Sequence, residues 1–478
     1  MSPPPDVDLD ESPTGSPELL AHDTLPEDAQ VPEVSMVEET AVTGVTFSPE
    51  LWMQRRQWAL QALRKEGVRS VLDVGCGAGA LLETLMMPAS TVYEPPIKPA
   101  RQQKGSQLPS PVDSDEDGFD HESELFINRL GGIDVSRDVI APALSIINPQ
   151  SSSNAFPPPR PRWEPLSTEL WLGGLEKYNA KLEGYDSIVA LEVIEHLDPN
   201  VLSRFGVVTL GTYRPRLMLV STPNFDFNAK FPRAQEDGFA QRGFVDPTGR
   251  TQRVFRHSDH KIEMTGAEFR TWAETAAADW GYEVEVSGVG TSSHPSFYPP
   301  DDKHNANQPI FASQTAIFRM GSGMPLRSPR SVRTTPLPFM PASKESSHPH
   351  KLAGRFSHPR TAPGDGAKAD PEAVRAKVRE FFGGSSTPEV SLEELWGVLA
   401  IAAVCGGSKR WLVGSLGGWG DCAPLGQGGQ ADGEFEVTKS RGDGLSVKWT
   451  GWEPVSEEKE KDWGTPMEDV EADTGKGW

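Results

Sequence analysis

Two carboxylates and an imidazole stand at i, i+3 and i+4 in Glu192-Val193-Ile194-Glu195-His196, directly after the apolar run Ile188-Val189-Ala190-Leu191. A helix starting there brings all three to one face. Two oxygen donors and one nitrogen donor on one face supply most of the protein shell of a divalent cation. A solvated helix start, with its acids favoured by the helix dipole, accounts for the same residues.

A second chemical feature lies upstream. The short apolar segment Ser70-Val71-Leu72-Asp73-Val74 reads as a buried strand, and Gly75-Cys76-Gly77-Ala78-Gly79 follows it. Glycines let the backbone pass close under a ligand, and the helix expected from Ala80 to Met87 offers free N–H groups behind the turn. Dinucleotide-binding turns space the third glycine more widely. Here it comes one residue early and an acid precedes the turn. This D-x-G-x-G-x-G pattern resembles the first motif of the class I S-adenosylmethionine-dependent methyltransferases. The resemblance implies that Gly75 and Gly77 run along the methionine part of that cofactor and that Asp73 reaches toward its ammonium end. It also implies that Asp134, ending the next strand-like piece (Gly132-Ile133-Asp134-Val135), takes the two ribose hydroxyls.

Three further segments narrow the choice: Phe47-Ser48-Pro49-Glu50-Leu51-Trp52-Met53-Gln54-Arg55-Arg56, Ser221-Thr222-Pro223-Asn224-Phe225-Asp226-Phe227-Asn228, and Phe255-Arg256-His257-Ser258-Asp259-His260-Lys261-Ile262-Glu263-Met264. Together with Glu192–His196 they look like the small-RNA 3′-terminal 2′-O-methyltransferases. The resemblance runs roughly from Phe47 to Arg319 and includes Phe311-Ala312-Ser313-Gln314. Carried over by motif, it implies that Glu192, Glu195, His196 and His260 form the catalytic centre and hold a divalent metal, Mg²⁺ or Mn²⁺, with His257 a possible replacement for His260. Ile262 and Met264 depart from the family's aromatics and are expected to repack the core. Glu50 stands where the family has proline.

The implied chemistry is coherent. Methyl transfer from a sulfonium needs an oxygen nucleophile, and a cation shared by the 2′ and 3′ hydroxyls of a terminal nucleotide would lower the acceptor's pKa and orient it. Requiring both hydroxyls confines the reaction to RNA 3′ ends. Arg55, Arg56, Arg256 and Lys261 are candidate phosphate contacts, and Asn224 either lines the pocket or serves a turn. The implied partners are a small RNA 3′ end and an Argonaute- or Piwi-type protein; a monomer in the cytoplasm, or in the nucleus, is expected. A quinol-type small-molecule O-methyltransferase, which also carries E-x-x-E-H, and a non-catalytic RNA-binding scaffold are the alternatives. Separation of His257 and His260 from Glu192 would favour the first. Buried acids argue against the second.

These residues need elements to position them. The chain has 478 residues, with Gly 46, Pro 43 and a hydrophobic fraction of 36%. Length suggests about three domains at roughly 150 residues each, but this composition implies much linker and tail. The net charge of −22 sits mostly at the ends. Residues 1–54 hold 12 acids and no Lys or Arg, and residues 455–478 hold eight acids against three lysines, which leaves about −5 for the rest. Overall acidity therefore does not exclude a nucleic-acid partner. Cys76, Cys405 and Cys422 show neither a disulfide framework nor a zinc spacing. The N-terminus has no signal-like segment, and no apolar run approaches the roughly 18 residues that span a bilayer. The chain reads as soluble and intracellular.

Along the chain, residues 1–45 read as a disordered acidic tail. Residues 46–320 read as one α/β domain, a doubly wound Rossmann-like methyltransferase sheet. Its expected elements include a helix within Pro49–Gly67 and strands at Tyr185–Leu191, Leu217–Ser221, Tyr282–Val286 and Gln314–Arg319. A capping box, Thr265-Gly266-Ala267-Glu268, opens a helix to about Asp279. Residues 88–125 read as a low-complexity insertion and 149–161 as a loop. Within the insertion, Asp113-Ser114-Asp115-Glu116-Asp117-Gly118 with Glu124 matches an EF-hand spacing, but the preceding prolines and Asp120 in an apolar slot set it aside as an acidic run. Residues 321–369, with eight Lys or Arg and two acids, read as a basic linker. Residues 370–415 read as a small helical segment (Val374–Phe382 and Leu392–Val404), and 416–478 as a Gly-rich, then acidic tail. The C-terminal extension is thus expected to be partly disordered.

Overall fold

The computed structural model describes residues 47–88, 124–149, 161–229, 243–292, 309–321, 350–417, 433–439 and 445–453, all within one unit, Phe47–Trp478. The first described helix, α1 (Leu51–Lys65), buries Leu51, Leu60 and Leu63 and half-buries Trp58, the apolar set its spacing predicts. The expected strand follows as β1 (Ser70–Val74), buried at every position. Next come α2 (Ala80–Met86), β2 (Arg129–Asp134), α3 (Arg137–Ile147), β3 (Leu166–Leu172), β4 (Ser187–Leu191), α4 (Pro199–Gly206), β5 (Leu217–Pro223) and the one-turn α5 (Phe225–Asn228). A short hairpin, β6 (Phe244–Val245) and β7 (Val254–Phe255), leads to α6 (Gly266–Trp280), β8 (Tyr282–Val289), β9 (Ser313–Met320) and β10 (Lys351–His358).

One eight-stranded sheet collects most of these, in the order β10-β3-β2-β1-β4-β5-β9-β8. Strands β1 to β5 run parallel; β9 is antiparallel to both β5 and β8. The central parallel strands β4 and β5 carry the near-continuous apolar runs Ile188-Val189-Ala190-Leu191 and Leu217-Met218-Leu219-Val220 because both faces are covered. One cluster packs Leu60, Leu63, Leu81, Leu82, Ile140 and Ile147 against the first face. Another packs Leu202, Phe205, Phe269 and Ala273 against the second. That is the doubly wound arrangement. The chain order reverses between β1 and β4, so the crevice beyond their carboxyl ends is where such sheets bind ligands. Thr265 and Glu268 form the capping box as expected, and Gly281, in the left-handed region, ends α6. Met264 is buried and Ile262 partly so in the second cluster.

The C-terminal reading needs correction. The segment read as a linker, 321–369, contains β10, which pairs antiparallel with β3 from Lys351↔Leu172 to His358↔Leu166. Its exposed, polar edge face hides it from a hydrophobicity pattern. Its partner lies nearly 200 residues away, so only the tertiary fold makes it a strand. The helical segment is also larger than read. It comprises α7 (Pro371–Gly383), β11 (Glu389–Ser391), α8 (Leu392–Gly397), α9 (Leu399–Val404), α10 (Lys409–Ser415), β12 (Phe435–Lys439) and β13 (Leu445–Trp449). The three strands form one antiparallel sheet, and Phe382, Phe435, Leu395 and Val447 fill a core of their own. The region expected to be a Gly-rich tail thus supplies two of its strands. This unit meets the main sheet where Trp163 packs on Ala362 and Ala402, and where the Glu124 carboxylate accepts from the N–H groups of Lys409 and Arg410. The N-terminal acidic tail and residues 89–123 of the insertion, with all of the EF-hand-like spacing but Glu124, lie outside the described residues.

Candidate metal centre and cofactor turn

At the switch point the glycine turn leaves β1 with Gly75, Gly77 and Gly79 all at positive φ (68°, 53° and 92°). A Cβ on Gly75 would lie 2.6 Å from Val193 Cγ2, and one on Gly79 2.9 Å from Ala143 Cβ. Packing therefore demands the first and third glycines. A Cβ on Gly77 would meet only Val139 Cγ1, at 3.9 Å, so the middle of the turn faces open space. Asp134, ending β2, accepts from Gly77 N–H through Oδ2 (3.0 Å) and from Ser136 N–H through Oδ1 (2.9 Å). Asp73 is buried; that burial, with Asp134 nearby, pushes its carboxyl up to about 8. Burial and the same two acids push the Cys76 thiol up as well. Two acids beside an open glycine turn suit a cationic, hydroxyl-bearing ligand, which would relieve their repulsion.

The helix expected at Glu192 does not form. Glu192 sits at φ 54°, in the left-handed region, and only a single 3₁₀ turn follows, Ile194–His196. The cause is local. Its N–H donates to the Ser221 carbonyl (3.1 Å), and the Ser221 hydroxyl donates to Glu192 Oε1 (2.8 Å), so β5 holds the residue out of helical phase. Glu192 Oε2 pairs with Arg55 Nη1 at 3.2 Å. The same nitrogen donates to the Ser313 hydroxyl (3.1 Å). Arg55, a phosphate candidate by sequence, is thus a buried brace between α1, β9 and the end of β4. Arg56 stacks on the Trp52 ring at 4.8 Å instead.

Glu195 is buried, and its Oε2 accepts from the Thr222 hydroxyl (2.9 Å). Burial and the adjacent Glu192 raise its carboxyl well above the usual range. Its carbonyl accepts from Lys261 N–H (2.7 Å) and Ile262 N–H (3.1 Å), and this clamp brings the distant histidine loop to the turn. One donor atom each from Glu195, His196 and His260 then lies within 4.8 Å of the others. The His196 and His260 rings are 5.0 Å apart, and the His257 and His260 rings are also 5.0 Å apart. Burial and the neighbouring His260 hold His196 below its ordinary value, which keeps the imidazole neutral and able to ligate. Burial, His260 and Arg256 do the same for His257.

The sequence-derived set is therefore brought together in part. Glu195, His196 and His260 converge; Glu192 lies beside them with its carboxylate turned to Arg55 and Ser221. One carboxylate and two imidazoles fit a first-row divalent cation such as Mn²⁺ better than Mg²⁺, which prefers oxygen donors, and leave positions open for further oxygens. Asn224 serves the turn: its Oδ1 accepts from Asp226 N–H and its Nδ2 donates to the Phe311 carbonyl. Sequence reasoning assigned no role to Ser221, Thr222, Ser313, Asp259 or Glu263. All five lie inside the segments that carried the resemblance, and that proximity was the available signal. Among the described residues Cys76 and Cys405 are free and buried, and no helix is long and apolar enough to cross a membrane.

The sheet order, the glycine turn and the acid ending β2 define a Rossmann-like methyltransferase fold. No family model matches the chain. It is similar to the small RNA 2′-O-methyltransferases, as its motifs implied. It is 27% identical over 285 residues to that of Arabidopsis thaliana, covering 59% of this chain and 24% of the relative. To that of Xenopus tropicalis it is 29% identical over 272 residues, covering 57% and 55%. To that of Schizosaccharomyces pombe it is 28% identical over 247 residues, covering 51% and 54%. The chain thus spans about half, or less, of the length of these curated relatives. The crystal structure of small RNA methyltransferase HEN1 overlays 65% of this chain and 28% of its own at 24% identity, with a TM-score of 0.41.

Proposed function

We propose that this chain transfers the methyl group of S-adenosylmethionine to the 2′-hydroxyl of the 3′-terminal nucleotide of small RNAs, with a divalent cation at Glu195, His196 and His260. The observation that carries this reading is the meeting of those three side chains, from stretches more than 60 residues apart, beside an open glycine turn. A bound cation would polarise the acceptor hydroxyl. The chain's own residues do the rest. Asp73, Gly75, Gly77 and Asp134 seat the methyl donor. Thr222 and the Lys261 and Ile262 amides hold Glu195 in place. Glu192 is the fourth candidate ligand and reaches a cation only by releasing Arg55. Arg256 and Lys261, on the same loop as His260, remain the candidates for the terminal phosphates.

His260 lies with the acids, which removes the geometry that would favour a quinol-type enzyme. The buried acids Asp73 and Glu195, each beside a second, partly buried carboxylate (Asp134 and Glu192), speak against a scaffold with nothing to bind. An Argonaute- or Piwi-type partner, a monomeric enzyme and a cytoplasmic site of action belong to the same proposal, and the resemblance alone supports them.

The test uses labelled cofactor, Mn²⁺ or Mg²⁺, and a short RNA ending in a 3′ diol, against the same RNA ending in 2′-deoxy or 3′-phosphate. Label is expected on the diol alone, and EDTA should abolish it. Label on the blocked ends, or on no RNA, refutes the proposal.

A further inference from the structure

Both histidines of the cluster are backed by a carboxylate, but the two supports differ sharply. His196 Nδ1 lies 3.2 Å from Asp259 Oδ2, whose side chain is 67% exposed. His260 Nδ1 lies 2.8 Å from Glu263 Oε1, and both side chains are buried. Glu263 is itself immobilised. Its Oε1 also accepts from Arg256 N–H (2.9 Å), and its Oε2 accepts from Asn228 Nδ2 (3.1 Å). Its carbonyl accepts from Arg253 Nη1 (2.9 Å), and that guanidinium grips Glu268 at the start of α6. Three donors, from the histidine loop and from α5, thus converge on one carboxylate that does not belong to the ligand cluster.

We propose that Glu263 is the positioning residue of the cation site: by accepting the Nδ1–H of His260 it fixes the tautomer in which Nε2 carries the lone pair, and aims it at Glu195 and His196. A carboxylate that accepts from the outer nitrogen of a ligating imidazole sets ring orientation and raises its basicity. The exposed Asp259 carboxylate restrains His196 less, because solvent competes for both partners; the backbone of Asp259 adds a hydrogen bond to that ring, but no buried carboxylate stands behind it. The centre therefore has one rigid imidazole and one adaptable one. This inference rests on reading the cluster as a cation site. It does not depend on which acceptor is methylated.

The test has two arms on the 478-residue chain without RNA or methyl donor, and a third readout in turnover. In metal-free wild type, ¹⁵N-histidine NMR, assigned with His260→Gln, should show His260 as the Nδ1–H tautomer; the Nε2–H tautomer overturns the proposal. Mn²⁺ binding by EPR should weaken about 10- to 100-fold in Glu263→Ala. Glu263→Gln keeps an acceptor and should fall between Glu263→Ala and wild type, and Asp259→Asn should change little. In turnover the Glu263 variants should need more Mn²⁺ for half-maximal rate while recovering much of kcat at saturation. Unchanged Mn²⁺ affinity in Glu263→Ala, or no Mn²⁺ binding by wild type, overturns the inference. The tautomer arm decides the matter should Glu263→Ala not fold. Mn²⁺ binding without RNA methylation would sink the proposed function and leave this inference standing.

Discussion

Asp73 shows how one buried acid can make the stability of the unliganded protein depend on pH. Its carboxyl titrates near 8 in the fold, because burial and then Asp134 penalise its charge, against about 4 in an unfolded chain. Its favourable contribution is complete below about pH 4 and drains away as pH rises through about 8. Asp73→Asn removes the titration. The stability of this variant relative to wild type should therefore rise between pH 5 and 8, by on the order of 3 kcal/mol, and then level off. Urea unfolding of the two proteins across that range measures it, and a constant difference would show that Asp73 does not carry the effect. A ligand ammonium group seated against Asp73 would reverse the penalty, which is what the proposed cofactor supplies.

At the scale of elements, α1 is the piece whose role the site explains. Arg55 leaves its buried side, reaches Glu192 Oε2 and the Ser313 hydroxyl, and neutralises one of two adjacent carboxylates. Gln54 adds a second tie, accepting Gly290 N–H through Oε1 (3.1 Å). Removing one partner of a buried pair leaves an uncompensated charge and costs about 3–5 kcal/mol. Arg55→Met should destabilise the protein by that order, and Mn²⁺ should return part of the loss by occupying the freed Glu192 carboxylate. Chemical denaturation with and without Mn²⁺ measures both effects. A variant as stable as wild type would mean that the pair does not hold the helix to the sheet.

For the whole molecule, the strand nobody would read from its letters protects the sheet. β10 covers the β3 edge, and Arg355 reaches the buried Glu169 carboxylate (2.9 Å), which also accepts from Arg129 (3.1 Å) and the Tyr185 hydroxyl (2.8 Å). His358 Nε2 lies 3.0 Å from the Ile147 carbonyl and His350 Nε2 2.8 Å from that of Gly174, closing both ends of the strand. Truncation after Gly321 removes all of this and uncovers Trp163. An unpaired edge invites association. The truncated protein should lose on the order of 3 kcal/mol, a fall in Tm on the order of 6–12 °C, and should aggregate on heating. Differential scanning fluorimetry with light scattering checks it. An equally stable, monodisperse product would mean that the extension is dispensable to the fold.

The central strands, the capping box and the glycine turn were legible because each rests on neighbours in the chain: an apolar run, a residue at i+3, a backbone conformation only glycine takes easily. The set Glu192, Glu195, His196 and His260 was found by motif, yet its spacing pointed to a helix that a left-handed Glu192 forbids. Whether Glu192 faces a cation or a guanidinium depends on Arg55, 137 positions earlier in the chain, and the support of His260 depends on an asparagine in another element. Chemistry carried by residue types and short spacings was therefore written in the sequence. The partner of each buried charge, the pairing of β10 and the division of the candidate ligands were decided only by tertiary structure, because long-range contacts select among local alternatives that are nearly equal in energy.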